Sequence, residues 1–162
     1  MVDTIYALAT PQGRAGVAVV RISGPDAFMS LNALCNDIRI KPRKTILCDL
    51  YTQEGLHIDR ALVLPFKGPN SFTGEDVVEL HLHGSIAVIK KTIETLSKIA
   101  NFRQALPGEF TRRAFSNEKL DLAEIEGLAD LIEAETEAQR VQALKVLSGK
   151  LGERAQEWRS MI

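Results

Sequence analysis

Asp76-Val77-Val78-Glu79-Leu80-His81-Leu82-His83 sets the architecture of this chain. Successive side chains of a strand point to opposite faces, so Val78, Leu80 and Leu82 share one face while Val77, Glu79, His81 and His83 share the other. One wholly apolar face beside a mixed one marks a strand that covers a core on one side. Directly after it, Ile86, Ile89, Ile93 and Leu96 recur every three or four residues from Ser85 to about Ala100, with Lys90, Lys91, Glu94 and Lys98 between them. That spacing predicts an amphipathic helix packed on the sheet.

Working toward the N-terminus, Lys-Gly-Pro-Asn-Ser-Phe-Thr-Gly at 67–74 is a loop rich in turn formers. Thr45–Thr52 and His57–Phe66 read as strands of a hairpin turned at Gln53-Glu54-Gly55. Residues 17–22 are apolar on both faces except for Arg21, and Pro25 then starts a short helix carrying Phe28, Leu31 and Leu34 to about Cys35. Toward the C-terminus, the Pro107-Gly108-Glu109 turn leads into a short helical piece over Phe110–Phe115. Asp121 with Glu124 three residues later resembles a capping box that opens a long helix. We therefore expect an α+β fold, a mixed, largely antiparallel sheet with packed helices over residues 1–120, followed by an α-helical segment at 121–162 of one long helix or two. Val141, Leu144, Leu147, Leu151, Ala155, Trp158 and Ile162 form a stripe that runs into the last residue, so the helical segment is expected to be truncated.

Composition narrows the classes. The 162 residues are 45% hydrophobic and 25% charged, which excludes disorder as the main reading. A net charge of −1 gives no bulk electrostatic footprint for nucleic acid, so any RNA contact is local. The basic loop of Arg39, Lys41, Arg43 and Lys44 is such a local patch, or simply a solvated one, while residues 121–137 hold seven acids and no base. No apolar run approaches the roughly 20 residues of a membrane span, and the start lacks a basic, then apolar leader. A cytoplasmic protein is expected; Cys35 and Cys48 could in principle pair, but without a secretory signal two unrelated buried thiols are the expectation.

Glu79, His81 and His83 have a spacing that could hold a metal, but no further ligand lies at a recognisable spacing, which favours hydrogen-bonded histidines. Gly13 and Gly16 with Arg14 read either as an anion cradle or as a tight turn feeding a strand. The chain contains no Gly-x-x-x-x-Gly-Lys-[Ser/Thr] phosphate loop, so by itself it is expected neither to bind nor to hydrolyse GTP.

A family resemblance then joins these pieces. Asp3-Thr4-Ile5, Ala9-Thr10-Pro11, Gly13-Arg14, Arg21-Ile22-Ser23-Gly24, the nine-residue run Gly68–Asp76, His83-Gly84, Pro107-Gly108-Glu109-Phe110 and Lys119-Leu120-Asp121-Leu122-Ala123 follow one another as in the tRNA modification GTPase family called MnmE or TrmE. The chain resembles that family's N-terminal domain, with a boundary near Leu120, plus the start of its central helical domain. The resemblance implies a homodimerising domain similar to folate-binding aminomethyltransferase domains. It also implies an intact enzyme that works with a flavin-containing partner, MnmG or GidA, to form 5-carboxymethylaminomethyluridine at the tRNA wobble position. GTP, Mg2+ and K+ would belong to a GTPase domain outside this chain, as would the family's C-terminal Cys-x-Gly-Lys motif.

By the same resemblance Arg21, Glu79 and Lys119 match the family's folate-contacting positions and would bind a 5-formyl-tetrahydrofolate-type donor. The chemistry is suitable, since a pterin's 2-amino group and ring N–H can both donate to a carboxylate, and the glutamate tail wants Arg or Lys. The alternative is a structural ion pair between Arg21 and Glu79, with the chain acting as a dimerisation and docking module whose ligand site is vestigial. Gln12 departs from the family pattern, standing where proline is common, and two glycine positions depart as well. Ala15 and Ser85 stand where glycine is common, which matters for loop shape if either backbone adopts positive φ.

Overall fold

The computed structural model describes residues 3–35 and 40–148. It divides into two compact units, residues 1–110 and 111–162. In chain order the first unit holds β1 (Thr4–Leu8), β2 (Ala15–Ser23), α1 (Met29–Leu34), β3 (Ile46–Tyr51), β4 (His57–Phe66), β5 (Val77–Gly84), α2 (Ile86–Ser97) and β6 (Phe102–Gln104). Helix α3 (Glu109–Ser116) starts in this unit and runs into the second, which continues with α4 (Leu122–Glu133) and α5 (Glu137–Leu147).

The six strands form one sheet in the order β3-β4-β5-β2-β1-β6. Every neighbouring pair is antiparallel except β1 with β6, which is parallel. This is the expected α+β fold with a mixed, largely antiparallel sheet. Alternation in β5 works as its sequence implied: Val78, Leu80 and Leu82 are buried, while Glu79 and His81 are half-buried and His83 is exposed. The inner face joins Val20, Ile22, Val63 and Leu50 to Leu31 and Leu34 of α1 and to Leu96 of α2 in one core cluster. The opposite face carries Arg21 and Glu79 and leaves Val17, Leu47 and Leu62 about half exposed, at 54, 55 and 45%.

Several elements differ from their sequence-based expectation. Strands β1 and β6 were not anticipated. The helix expected from Pro25 shrinks to Met29–Leu34, because Ala27 N–H donates to Gly24 O and Met29 N–H to Asp26 O, three-residue turns rather than α-helical ones. In α2 the first residue of the expected stripe, Ile86, is exposed, and Thr92, Thr95 and Leu96 are the buried ones. The two threonine hydroxyls donate to Val88 O and Lys91 O, which removes the cost of burying them.

Asp121 does cap α4 through a complete capping box with Glu124. A second box, Thr136 with Gln139, starts α5, so among the described residues the helical segment from Asp121 holds two helices. Gly127 lets them touch, since a Cβ there would stand 2.7 Å from the Leu147 nitrogen. Arg39 and the stripe from Leu151 to Ile162 lie outside the described residues. No described helix is long and apolar enough to cross a membrane.

Candidate functional site

The register of β2 against β5 places Arg21 directly opposite Glu79. Opposed side chains on one sheet face are close neighbours, and here they meet: Arg21 Nε and Nη2 both reach Glu79 Oε1, at 2.9 and 2.8 Å. Among the described residues, the other carboxylate oxygen, Oε2, is approached by His81 Nε2 alone, at 3.4 Å. Arg21 retains 29% side-chain exposure and Glu79 17%, so the pair is shielded from water without being sealed. Neither the full hydrogen-bonding fork of the guanidinium nor both lone-pair sets of the carboxylate are used.

A wall stands on one side of the pair. The Phe72 ring lies 5.2 Å from the Arg21 guanidinium carbon, within cation–π range. Phe72 belongs to the 67–76 loop, which folds back tightly: a Cβ on Gly68 would come within 2.7 Å of Gly74 O. Ser23, two residues along β2 from Arg21, is fully buried and anchors this loop. Its hydroxyl donates to Glu75 Oε2 at 2.7 Å and meets Thr73 Oγ1 at 2.6 Å. A hydroxyl has one proton, so with that proton given to Glu75 the Thr73 hydroxyl supplies the other hydrogen bond. Asp76 adds further ties, accepting from Gly68 N–H and from Lys67 Nζ. The loop is thus built to hold Phe72 beside Arg21.

Other candidates take different places. His83 pairs with Asp59, whose Oδ1 lies 2.7 Å from His83 Nδ1 and whose Oδ2 accepts from the His83 backbone N–H. Among the described residues no His, Cys, Asp and Glu group gathers to hold a metal. Gly16 lies inside β2, and Gly13, with φ 142, is the residue that turns; Arg14 and Gly16 line one groove with Lys90. Ala15 pairs with Gly84, and Ser85 has an extended backbone with φ −88, so neither departure from the family pattern introduces strain. Gly84 is the position that needs glycine. A Cβ there would stand 2.7 Å from the Ala15 carbonyl carbon.

Lys119 belongs to the second unit, where its backbone N–H donates to Ala114 O just beyond α3. Arg21 and Glu79 are therefore brought together, and Lys119 is described in its own unit. Phe72 and the Ser23 anchor were missed as contributors from sequence. Their signal was the Gly68–Asp76 run itself, whose density of small and hydroxyl side chains exceeds what a solvated loop needs.

The family model for the GTP-binding protein TrmE N-terminus matches residues 4–119. The chain belongs to the TrmE N-terminal family. Relatives called tRNA modification GTPase MnmE include that of Roseobacter denitrificans, 56% identical over 160 residues, covering 99% of this chain and 37% of the relative. The Parvibaculum lavamentivorans protein is 53% identical over 161 residues, and a Wolbachia protein from Drosophila simulans 51% over 160 residues. Those alignments cover 99% of this chain but only 37 and 36% of the relatives, so this TrmE N-terminal chain spans a little over a third of their length.

Proposed function

We propose that this chain is the N-terminal part of a tRNA modification GTPase, and that it binds a 5-formyl-tetrahydrofolate-type one-carbon donor through Arg21, Glu79 and Lys119. The observation that carries this reading is the half-satisfied Arg21–Glu79 pair on an open sheet face. Glu79 Oε2 is positioned to accept from a pterin's N–H and amino donors, and the uncommitted edge of Arg21 is a donor for a carboxylate. Phe72 offers a wall beside the ring. Two grooves of this unit run beside Ile86 and Lys90, while the pair lies on the partly exposed outer face of the sheet. A small ligand held there needs another surface to exclude water, and the exposed Val17, Leu47 and Leu62 on the same face suit a second copy of the chain.

The intact enzyme would pair with an MnmG/GidA-type flavoprotein and form 5-carboxymethylaminomethyluridine in tRNA, in the cytoplasm. GTP, Mg2+ and K+ would be handled outside these 162 residues. A dimerisation and docking module with a vestigial ligand site is the second reading, favoured by the fact that Arg21 and Glu79 already pair with each other.

Calorimetry separates the two. Wild type should bind 5-formyl-tetrahydrofolate saturably and Glu79→Ala, compared at matched thermal stability, should bind at least about tenfold more weakly, a loss of roughly 1.4 kcal/mol. Unchanged affinity in the variant rejects the site. No binding to wild type, with stability lost in the variant, favours the docking module. Light scattering on the whole chain and on one shortened to Leu120 should show self-association in both, and GTP titration should show no saturable binding.

A further inference from the structure

Cys35 and Cys48 are the reactive groups that the folate reading leaves unused. Cys35 follows the last residue of α1 and forms an isolated antiparallel bridge with Leu50. Cys48 lies on β3, two residues before Leu50 and therefore on the same inward face. The backbone bridge fixes these segments side by side, and it brings the two Sγ atoms to 3.1 Å. Both thiols are free. They are neighbours rather than the unrelated pair the sequence suggested. A disulfide bond is about 2.05 Å long, so closure needs the sulfurs to approach by only about 1 Å.

We propose that Cys35 and Cys48 are a reversible redox site, a dithiol that a low-molecular-weight disulfide such as oxidised glutathione converts to an intramolecular disulfide. Exposure sets the order of events: Cys35 is buried, at 5%, whereas Cys48 is partly accessible and sits on an edge strand. The Cys48 thiolate attacks one sulfur of the oxidant, forming a mixed disulfide and expelling one glutathione thiolate. Cys35 then gives up its proton and attacks Cys48 Sγ, expelling the second glutathione thiolate. One oxidised glutathione is reduced to two glutathione molecules, and the protein loses two hydrogens. Hydrogen bonding from the Cys35 thiol holds the Cys48 thiol below the usual range and pushes Cys35 up, which supports Cys48 as the first nucleophile.

The test is equilibration of the full chain in glutathione buffers of graded reduced-to-oxidised ratio, followed by alkylation and mass spectrometry of the peptides. The expected product joins the Cys35 and Cys48 peptides within one chain, accumulates with oxidised glutathione and is reversed by reduced glutathione. Cys35→Ser should stop at a glutathione adduct on Cys48, while Cys48→Ser should leave Cys35 unmodified under the same conditions. Alkylation of both thiols across the whole range overturns the proposal. So does a disulfide that links two chains on a non-reducing gel, or a Cys48 adduct in wild type that never resolves. Glutathione capture by Cys35 in Cys48→Ser, at the rate seen for Cys48, overturns the assigned order.

Discussion

Among the described residues of the first unit, the arginine–carboxylate contacts of Arg103 and of Arg21 are finished to different degrees. Arg103 grips Glu109 with two nitrogens, Nη1 to Oε2 at 2.8 Å and Nη2 to Oε1 at 2.5 Å, while its Nε pairs with Asp3. Glu109 also accepts from the Leu106 backbone N–H, and its side chain is only 2% exposed. Glu109 and Asp3, in that order, push the Arg103 guanidinium above its ordinary range. By contrast Arg21 puts two nitrogens on one oxygen of Glu79 and leaves the other oxygen a single 3.4 Å contact. The first pair ties β6 and the start of α3 to the N-terminus and has nothing left to offer. The second retains capacity on an open face, which is what a binding site requires and a structural clamp does not.

The comparison is sharpest in stability. Glu109→Ala strips Arg103 of a bidentate partner and leaves the Leu106 N–H without its acceptor, which should cost about 3 kcal/mol in urea denaturation. Glu79→Ala should cost less than about 1 kcal/mol, as expected for a partly exposed pair. Equal losses in the two variants would make both pairs structural and break the distinction.

The register that opposes Arg21 to Glu79 can be attacked next. Gly84→Ala forces a methyl against the Ala15 backbone at the end of the same β2–β5 ladder, and should cost about 2 kcal/mol and weaken ligand binding together. A smaller effect should come from Phe72→Leu, which keeps apolar cover but loses the ring over Arg21. About 0.5 to 1 kcal/mol should disappear, and salt should reduce the difference.

The smallest effect should come from a pair exposed on both sides, Lys98 with Glu54. Hydrogen bonding from Thr52, then Glu54's own backbone and then Lys98 hold the Glu54 carboxyl down to about 2. A depressed folded pKa means its contribution is present above the ordinary carboxylate range and fades as pH falls toward 2. Glu54→Gln should therefore leave the melting temperature unchanged at high salt, with any difference from wild type confined to low salt and to pH above that range.

Much of the fold was legible where neighbouring residues decide it. Alternation in Val77–Gly84, the two runs of the β3–β4 hairpin and the Asp121 capping box are local patterns, and each appears with nearly the boundaries its sequence implied. The Thr136–Gln139 box was equally local, and its Thr-x-x-Gln spacing was the available signal for the break between α4 and α5. Strand β6 had no such signal. It has three residues and exists because Thr4, Ile5 and Tyr6 pair with Phe102, Arg103 and Gln104, about a hundred positions away.

The site divides in the same way. Local pattern is enough to mark Arg21 as a lone charge in an apolar strand, Glu79 as alternating with core residues, and the family motifs along the chain. Long-range folding is what opposes these two side chains, sets Phe72 over one of them, and pairs His83 with Asp59. The reason is physical. Alternation and capping follow from the geometry of a few consecutive residues, whereas strand register and thiol proximity depend on which distant segments bury their apolar faces together.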